Sequence, residues 1–396
     1  MKKIYLDIAG RMHSLYKNLV SYPPEGYHVV TQNANWDKLS AVATRANTVY
    51  SFQQKVLSKV FPVNLVKAYL EKGKRLPENT DLTYAAGHLV FRKEPWVVDL
   101  EFVTQLAGYN IKHFKRHRRL IEKTLASEHC KKIVCWTEAG KRTVLENMNC
   151  DGFEHKVEVV PLAVPRKDFI KDYSGKGRVK LLFVGSANIP TGEFEYKGGK
   201  EVLEAFIILL KRYPQIELIV RSSIPEQVKV NYGGLDNLTI IDEIIPWEQM
   251  EQEFKSADIF LFPAHNTPGL AILDAMSYEL PVITTDVWAN PEMVEDGKTG
   301  FVIRKSERVR YYAENFIPIW SYHTGSQFMK SIESSDPEVV AELVQKTSLL
   351  IENEDLRKSM GKAGRQEIET GKFSIKKRNA KLRGIFDEAT GGTNQL

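Results

Sequence analysis

The chain has 396 residues, enough for two domains of ordinary size, and its 43% hydrophobic and 27% charged residues are the balance of a soluble globular protein. A net charge of +5 over this length is too mild to mark a nucleic-acid binder, and no apolar run approaches the length of a membrane span. The start, residues 1–7, turns acidic too soon for a signal peptide, and Cys130, Cys135 and Cys150 form no Cys-x-x-Cys pair, which fits a reduced cytoplasm.

Residues 3–9 predict a first strand, broken at Gly10-Arg11 ahead of a helix over 12–20. Gly10 stands in a plain β-to-α turn. A second strand is predicted over 27–32, and 36–75 is helical in tone, with Phe52, Val56, Val60 and Phe61 on an apolar side. Strands follow at 82–86 and 96–100. Asp99 and Glu101 are two apart, which puts both acids on one strand face. At the C-terminal end of a strand that face meets the crevice where open α/β sheets bind ligands; the alternative is a hydrogen-bonded pair that only fixes the next loop.

Residues 110–125 are the most basic stretch. Lys112, Arg116, Arg119 and Lys123 recur at three and four, so a helix gathers them on one side, while Phe114, Leu120, Ile121 and Leu125 supply apolar contacts. Such a face suits an anionic membrane surface or an anionic acceptor, or is simply solvated. No stacking aromatics are interleaved with the charges, which speaks against nucleic acid. A strand over 132–136, a helix capped by Thr137 and a strand over 156–161 complete a first domain, 1–165.

A second domain, 166–372, opens with a strand over 180–184 that ends at Gly185. Lys197-Gly198-Gly199 then precedes an amphipathic helix over 200–212. Arg221 closes a strand over 216–220, and Ile244 and Ile245 follow one over 238–241. The densest signal is 255–301: a buried strand at 259–262, the polar loop His265-Asn266-Thr267-Pro268-Gly269, a helix over 270–278, and a β-branched strand at 282–285. This is a β-loop-α-β unit of a parallel sheet. A helix start offers unpaired amides and a partial positive charge to a diphosphate. Gly269 lets that backbone approach a ligand, and Asp274, one turn on, suits sugar hydroxyls; the alternative is an ordinary βαβ crossover whose Asp274 is merely solvated. Helices at 336–352 and 354–369 and a terminal helix within 373–396 end the chain; residues 306–334 form either a core helix or an added lid.

The run Pro268-Gly269-Leu270, Asp274, Leu280-Pro281-Val282-Ile283 and Pro291-Glu292-Met293-Val294-Glu295-Asp296-Gly297-Lys298-Thr299-Gly300 resembles the donor-binding segment of the GT-B-fold retaining glycosyltransferases of family four, the glycosyl transferases group 1. The resemblance implies an α/β protein of GT-B architecture, with two Rossmann-like domains whose parallel sheets face each other across a cleft, and a terminal helix crossing back to the first. It implies transfer of a hexose from a UDP- or GDP-sugar to an acceptor hydroxyl. Lys197 would be the diphosphate cation, Gly269 and Leu270 would supply amides, Asp274 would hold the ribose, Asn266 would contact the hexose, and Ile244 and Ile245 would lie near the base. Gly10 would stand beside the acceptor or the donor phosphate, the alternative being the plain β-to-α turn. This sequence departs from the pattern in four places. Asn266 replaces the first acid, Asp274 stands where glutamate is more frequent, Ser186 replaces the phosphate arginine (with Arg221 as its candidate substitute), and Glu101 stands where the family carries histidine. No Asp-x-Asp triplet occurs, so donor binding is expected to need no metal. The alternatives are a silent partner subunit of the same fold, or a sugar-nucleotide epimerase.

Overall fold

The structure, a computed structural model, describes residues 1–8, 13–31, 61–173, 178–185, 193–267, 269–320 and 325–391. Gly10, Ser186 and Pro268 lie outside the described residues, as does most of the helical stretch 36–75. The chain divides into two compact units. One comprises Met1–Ala163, Tyr312–Gly325 and Ile375–Leu396; the other comprises Val164–Tyr311 and Ser326–Ser374.

The first unit is built on a six-stranded parallel sheet of β1 (Lys2–Ile8), β2 (Tyr27–Val30), β3 (Leu82–Ala86), β4 (Trp96–Leu100), β5 (Cys130–Cys135) and β6 (Val157–Val159), in the order β2-β1-β3-β4-β5-β6. Every residue of β4 is buried, as expected of a parallel strand covered on both faces. The basic stretch forms the helix Ile111–Ala126, started by Asn110, whose side chain accepts from the His113 amide at 3.0 Å. It buries His113, Phe114, Ile121 and Leu125; Leu120, expected among the apolar contacts, is 43% exposed instead. The buried Lys156 closes its far end, donating to the carbonyls of Leu125 at 3.1 Å and Ser127 at 2.8 Å.

The segment Tyr312–Gly325 groups with this first unit. Ile317 joins its core, Phe316 stacks under the Arg142 guanidinium at 4.3 Å, and Asn147 donates to the Asn315 carbonyl at 2.9 Å.

The second unit carries its own six-stranded parallel sheet. Its strands are β7 (Lys180–Val184), β8 (Glu217–Arg221), β9 (Leu238–Ile241), β10 (Ile259–Phe262), β11 (Val282–Thr285) and β12 (Gly300–Ile303), in the order β12-β11-β10-β7-β8-β9. The chain enters at β7, steps outward to β8 and β9, then returns to the other side of β7 with β10. That reversal leaves a crevice at the C-terminal ends of β7 and β10, the place where doubly wound sheets take ligands. The core is closed by the helices Gly199–Arg212, Pro337–Glu352 and Glu354–Glu369. Strand β12 and the short helix Glu226–Tyr232 were not expected from the sequence.

Candidate donor site

The crevice beside β7 and β10 is shaped first by glycine. Gly185 donates its N–H to the Arg221 carbonyl at 2.8 Å, and a Cβ there would lie 2.3 Å from Ser222 Oγ. Gly198 has φ +80°, and a Cβ on it would lie 2.2 Å from the Pro263 carbonyl. Only glycine lets the backbone pass this close to the loop after β10. The consequence is local: Lys197, one residue earlier, is set against that loop. Its ammonium donates to Asn266 Oδ1 at 2.8 Å and to the Thr267 carbonyl at 2.9 Å, and lies 5.3 Å from the centre of the Phe262 ring.

The loop then delivers Gly269 as the N-cap of the helix Leu270–Ser277, with φ −91°, ψ 163° and no side chain capping the first turn. A Cβ on Gly269 would come no nearer than 3.7 Å to any neighbouring atom. That is ordinary van der Waals contact, so packing does not require this glycine.

Asp274 is half-buried on that helix, and its carboxylate has no hydrogen-bond partner among the described residues. Burial pushes its pKa up to about 6, opposed only by the charge of Lys167. Lys167 itself sits over the rings of Trp247, at 4.8 Å, and Tyr278, at 5.8 Å. Nearby in sequence, Ile244 is 54% exposed and Ile245 half-buried. Arg221 ends β8; burial lowers its pKa, and its Nε is buried without a hydrogen-bond partner among the described residues. Lys197 and Asn266 are thus brought into direct contact, with Gly269 closing the same loop and Asp274 one turn beyond it.

The first unit separates the two acids that the sequence puts on one face. Strand β4 ends at Leu100, so Glu101 lies just outside it, accepting from the Tyr109 hydroxyl at 3.0 Å. Asp99 is wholly buried, accepting from Tyr16 Oη at 2.9 Å and Trp136 Nε1 at 3.0 Å. Burial raises its pKa to about 6 against the pull of those two donors. A further buried set, absent from the sequence reading, joins Asp7 to Arg92 at 3.0 Å and to His88 at 3.6 Å. Burial acts to raise the Asp7 pKa, but hydrogen bonds and charge from His88 and Arg92 hold it down at about 2.

The second unit holds one more set that the sequence reading missed. His265, 1% exposed, pairs through Nε2 with Glu201 Oε1 and through Nδ1 with Tyr311 Oη, both at 2.9 Å. The signal was present in Glu201, which shares the buried stripe of its helix with Val202, Ala205, Phe206 and Leu209. A carboxylate in such a stripe needs an internal partner.

Residues 178–320 match the family described as Glycosyl transferases group 1. The capsular polysaccharide biosynthesis glycosyltransferase CapM of Staphylococcus aureus is 25% identical over 182 residues, 45% of this chain and 39% of that protein. A D-inositol 3-phosphate glycosyltransferase of Arthrobacter sp. (strain FB24) is 23% identical over 190 residues, 43% of each chain. The aligned part thus spans about two fifths of the length of these curated relatives. Among solved structures, sucrose-phosphate synthase from Thermosynechococcus elongatus superposes with a TM-score of 0.61 at 14% identity, covering 99% of this chain and 100% of that one. HepE of Anabaena, in complex with UDP and glucose, gives 0.59 at 13% identity, covering 97% and 98%. At such identities the likeness is one of fold: the two parallel sheets are the two Rossmann-like domains of the GT-B architecture.

Proposed function

We propose that this chain, whose residues 178–320 belong to the group 1 glycosyltransferases, transfers a hexose from a nucleotide-diphosphate sugar to an acceptor hydroxyl, with retention at the anomeric carbon and without a metal ion. The observation that carries the reading is the preset cation. The Lys197 ammonium is held by Asn266 and Thr267 on the same loop that runs into the uncapped start of the helix Leu270–Ser277. Ammonium and amides together are what a departing diphosphate needs.

In the transfer, the bond from the anomeric carbon to the phosphate oxygen breaks and its electron pair leaves with the diphosphate. A bond to the acceptor oxygen forms on the same face, and the acceptor's proton passes to the leaving phosphate. Lys197 and the amides of Gly269 and Leu270 stabilise the charge that builds on the phosphate. Asp274, a carboxylate with unused acceptor capacity, takes the ribose hydroxyls. Asn266 contacts the hexose, Ile244 and Ile245 flank the base, and Arg221 is the second cation.

Calorimetric titration with UDP-, GDP- and ADP-sugars tests the donor site. UDP-glucose heads the panel because HepE, of the same fold, binds UDP and glucose. Heat with none of them would leave a silent partner subunit. Product analysis with and without an added acceptor separates transfer from epimerisation.

A contact with the inner face of an anionic membrane is the second proposal, and the helix Ile111–Ala126 supports it. Lys112, Arg116, Arg119 and Lys123 are all exposed, with Leu120 between them, and none of the four has an ion-pair partner among the described residues. No helix of the described residues is long and apolar enough to cross a membrane.

A further inference from the structure

We infer that Glu201, His265 and Tyr311 form a positioning relay that fixes the diphosphate end of the donor site, an inference that rests on the donor reading above. His265, Glu201 and Tyr311 are 1%, 2% and 3% exposed, so the set is sealed from water. A carboxylate only accepts, so Nε2–H of His265 donates to Glu201; Nδ1 is then left to meet a hydroxyl that can turn to suit it. The imidazole also stacks on the Tyr311 ring, 14° from parallel.

The relay touches both halves of the cation's cradle. The main-chain N–H of His265 donates to the Tyr196 carbonyl at 2.8 Å, and Tyr196 is the residue before Lys197. On the other side of Lys197, Gly198 lies against Pro263, two residues before His265. Glu201 stands on the helix that begins at Gly199, directly after this pair, and Asn266, which holds the ammonium, follows His265. The loop after β10 and the loop before the helix Gly199–Arg212 are therefore locked together through one buried imidazole. Neither Glu201 nor His265 is assigned to the ligand; their task is to set where Lys197 and Asn266 stand.

The test separates position from mere stability by comparing a nucleoside diphosphate with its nucleoside. UDP with uridine and GDP with guanosine are titrated into the wild type and into Tyr311→Phe, Glu201→Leu and Glu201→Gln. Tyr311→Phe keeps the stacked ring and loses only the hydroxyl, so it covers the case in which Glu201→Leu fails to fold. The expected result is a loss of about tenfold or more in diphosphate affinity for Tyr311→Phe and Glu201→Leu, with nucleoside affinity unchanged. Glu201→Gln, which still offers an acceptor to Nε2, recovers most of that loss. Equal weakening of both ligands, or no weakening of either, overturns the relay and leaves the donor site standing. A wild type that binds neither diphosphate overturns both.

Discussion

Lys197 Nζ lies 2.8 Å from Asn266 Oδ1, and a carbonyl at 2.9 Å takes a second bond from it, so the cation is placed before any ligand arrives. The partner is a neutral amide, which orients the ammonium without neutralising it. A group preset in this way costs little reorganisation when charge develops, and one such donor contributes about 3–4 kcal/mol at the transition state. Lys197→Ala should lower kcat/KM for the donor by about 100-fold or more. Steady-state kinetics that leave more than a tenth of wild-type transfer would show that the diphosphate sits elsewhere.

Asp274 gives a pH signature with a definite sign. Its folded pKa, about 6, lies above the unfolded carboxyl value of about 3.9. The contribution it makes to stability is therefore fully present below about pH 4 and is lost as pH rises through about 6. Above that, an ionised and unpartnered carboxylate remains as a cost. Asp274→Asn should be more stable than the wild type at pH 7.5 by about 1–2 kcal/mol, discounted for the partial exposure of the group, with the gap closing toward pH 4.5. Urea denaturation at both values measures this. The same variant should lose nucleotide affinity, and wild-type affinity should weaken as pH drops below about 6. An unchanged gap between the two pH values would mean that Asp274 finds a partner in solution.

What the sequence disclosed and what it hid follow from distance along the chain. Strand β10 is an unbroken apolar run and β11 a fully β-branched one, both buried along their whole length, and they fall at Ile259–Phe262 and Val282–Thr285 as the pattern predicts. Strand β12 escaped notice because it begins on Gly300, a residue that reads as a turn. Its real reason is contact, since a Cβ there would lie 2.0 Å from the Val282 carbonyl. The burial of Asp99 depends on Tyr16 and Trp136, 83 and 37 positions away, and the His265 set joins residues 64 and 46 positions apart. No local spacing encodes such pairings. The contact of Lys197 with Asn266 spans 69 positions, and only the resemblance to a known pattern put the two in one site.

Gly198 is the backbone condition for the whole cradle. At φ +80° an L side chain is strained, and its Cβ would also meet the main chain at Pro263 rather than a movable side chain. Strain of this kind costs about 1–3 kcal/mol before the clash is counted. Gly198→Ala should therefore lower stability by at least about 2 kcal/mol and displace Lys197, with nucleotide affinity falling alongside. A variant that melts with the wild type and binds as well would show that the loop relaxes freely.

Asp99 is expected to separate stability from donor binding. It takes the Tyr16 hydroxyl and the Trp136 N–H inside the first unit. Replacing it with leucine leaves the buried Tyr16 hydroxyl and the half-buried Trp136 N–H unpaired, at a cost of about 1–3 kcal/mol for the buried group and less for the other. Chemical denaturation of Asp99→Leu should show that loss. Nucleotide affinity, which the proposed donor site places on residues of the second unit, should stay within about twofold. A large fall in affinity at unchanged stability would move Asp99 into the donor machinery.

The basic face of the helix Ile111–Ala126 makes a prediction in salt. If the proposed membrane contact holds, its exposed lysines and arginines should each contribute about 1 kcal/mol near an anionic bilayer, over a range set by the Debye length, about 10 Å at 0.1 M salt. Two neighbouring cations are already occupied, Lys115 by Glu314 at 3.2 Å and Arg118 by Glu122 at 3.3 Å. The free stripe is therefore Lys112, Arg116, Arg119 and Lys123. Co-sedimentation with vesicles containing phosphatidylglycerol should be strong at low ionic strength and should fade by about 0.5 M salt. Replacing all four with glutamine should abolish it without lowering nucleotide affinity. Vesicle binding that persists in high salt, or in the fourfold variant, would assign the contact to another surface or to apolar insertion.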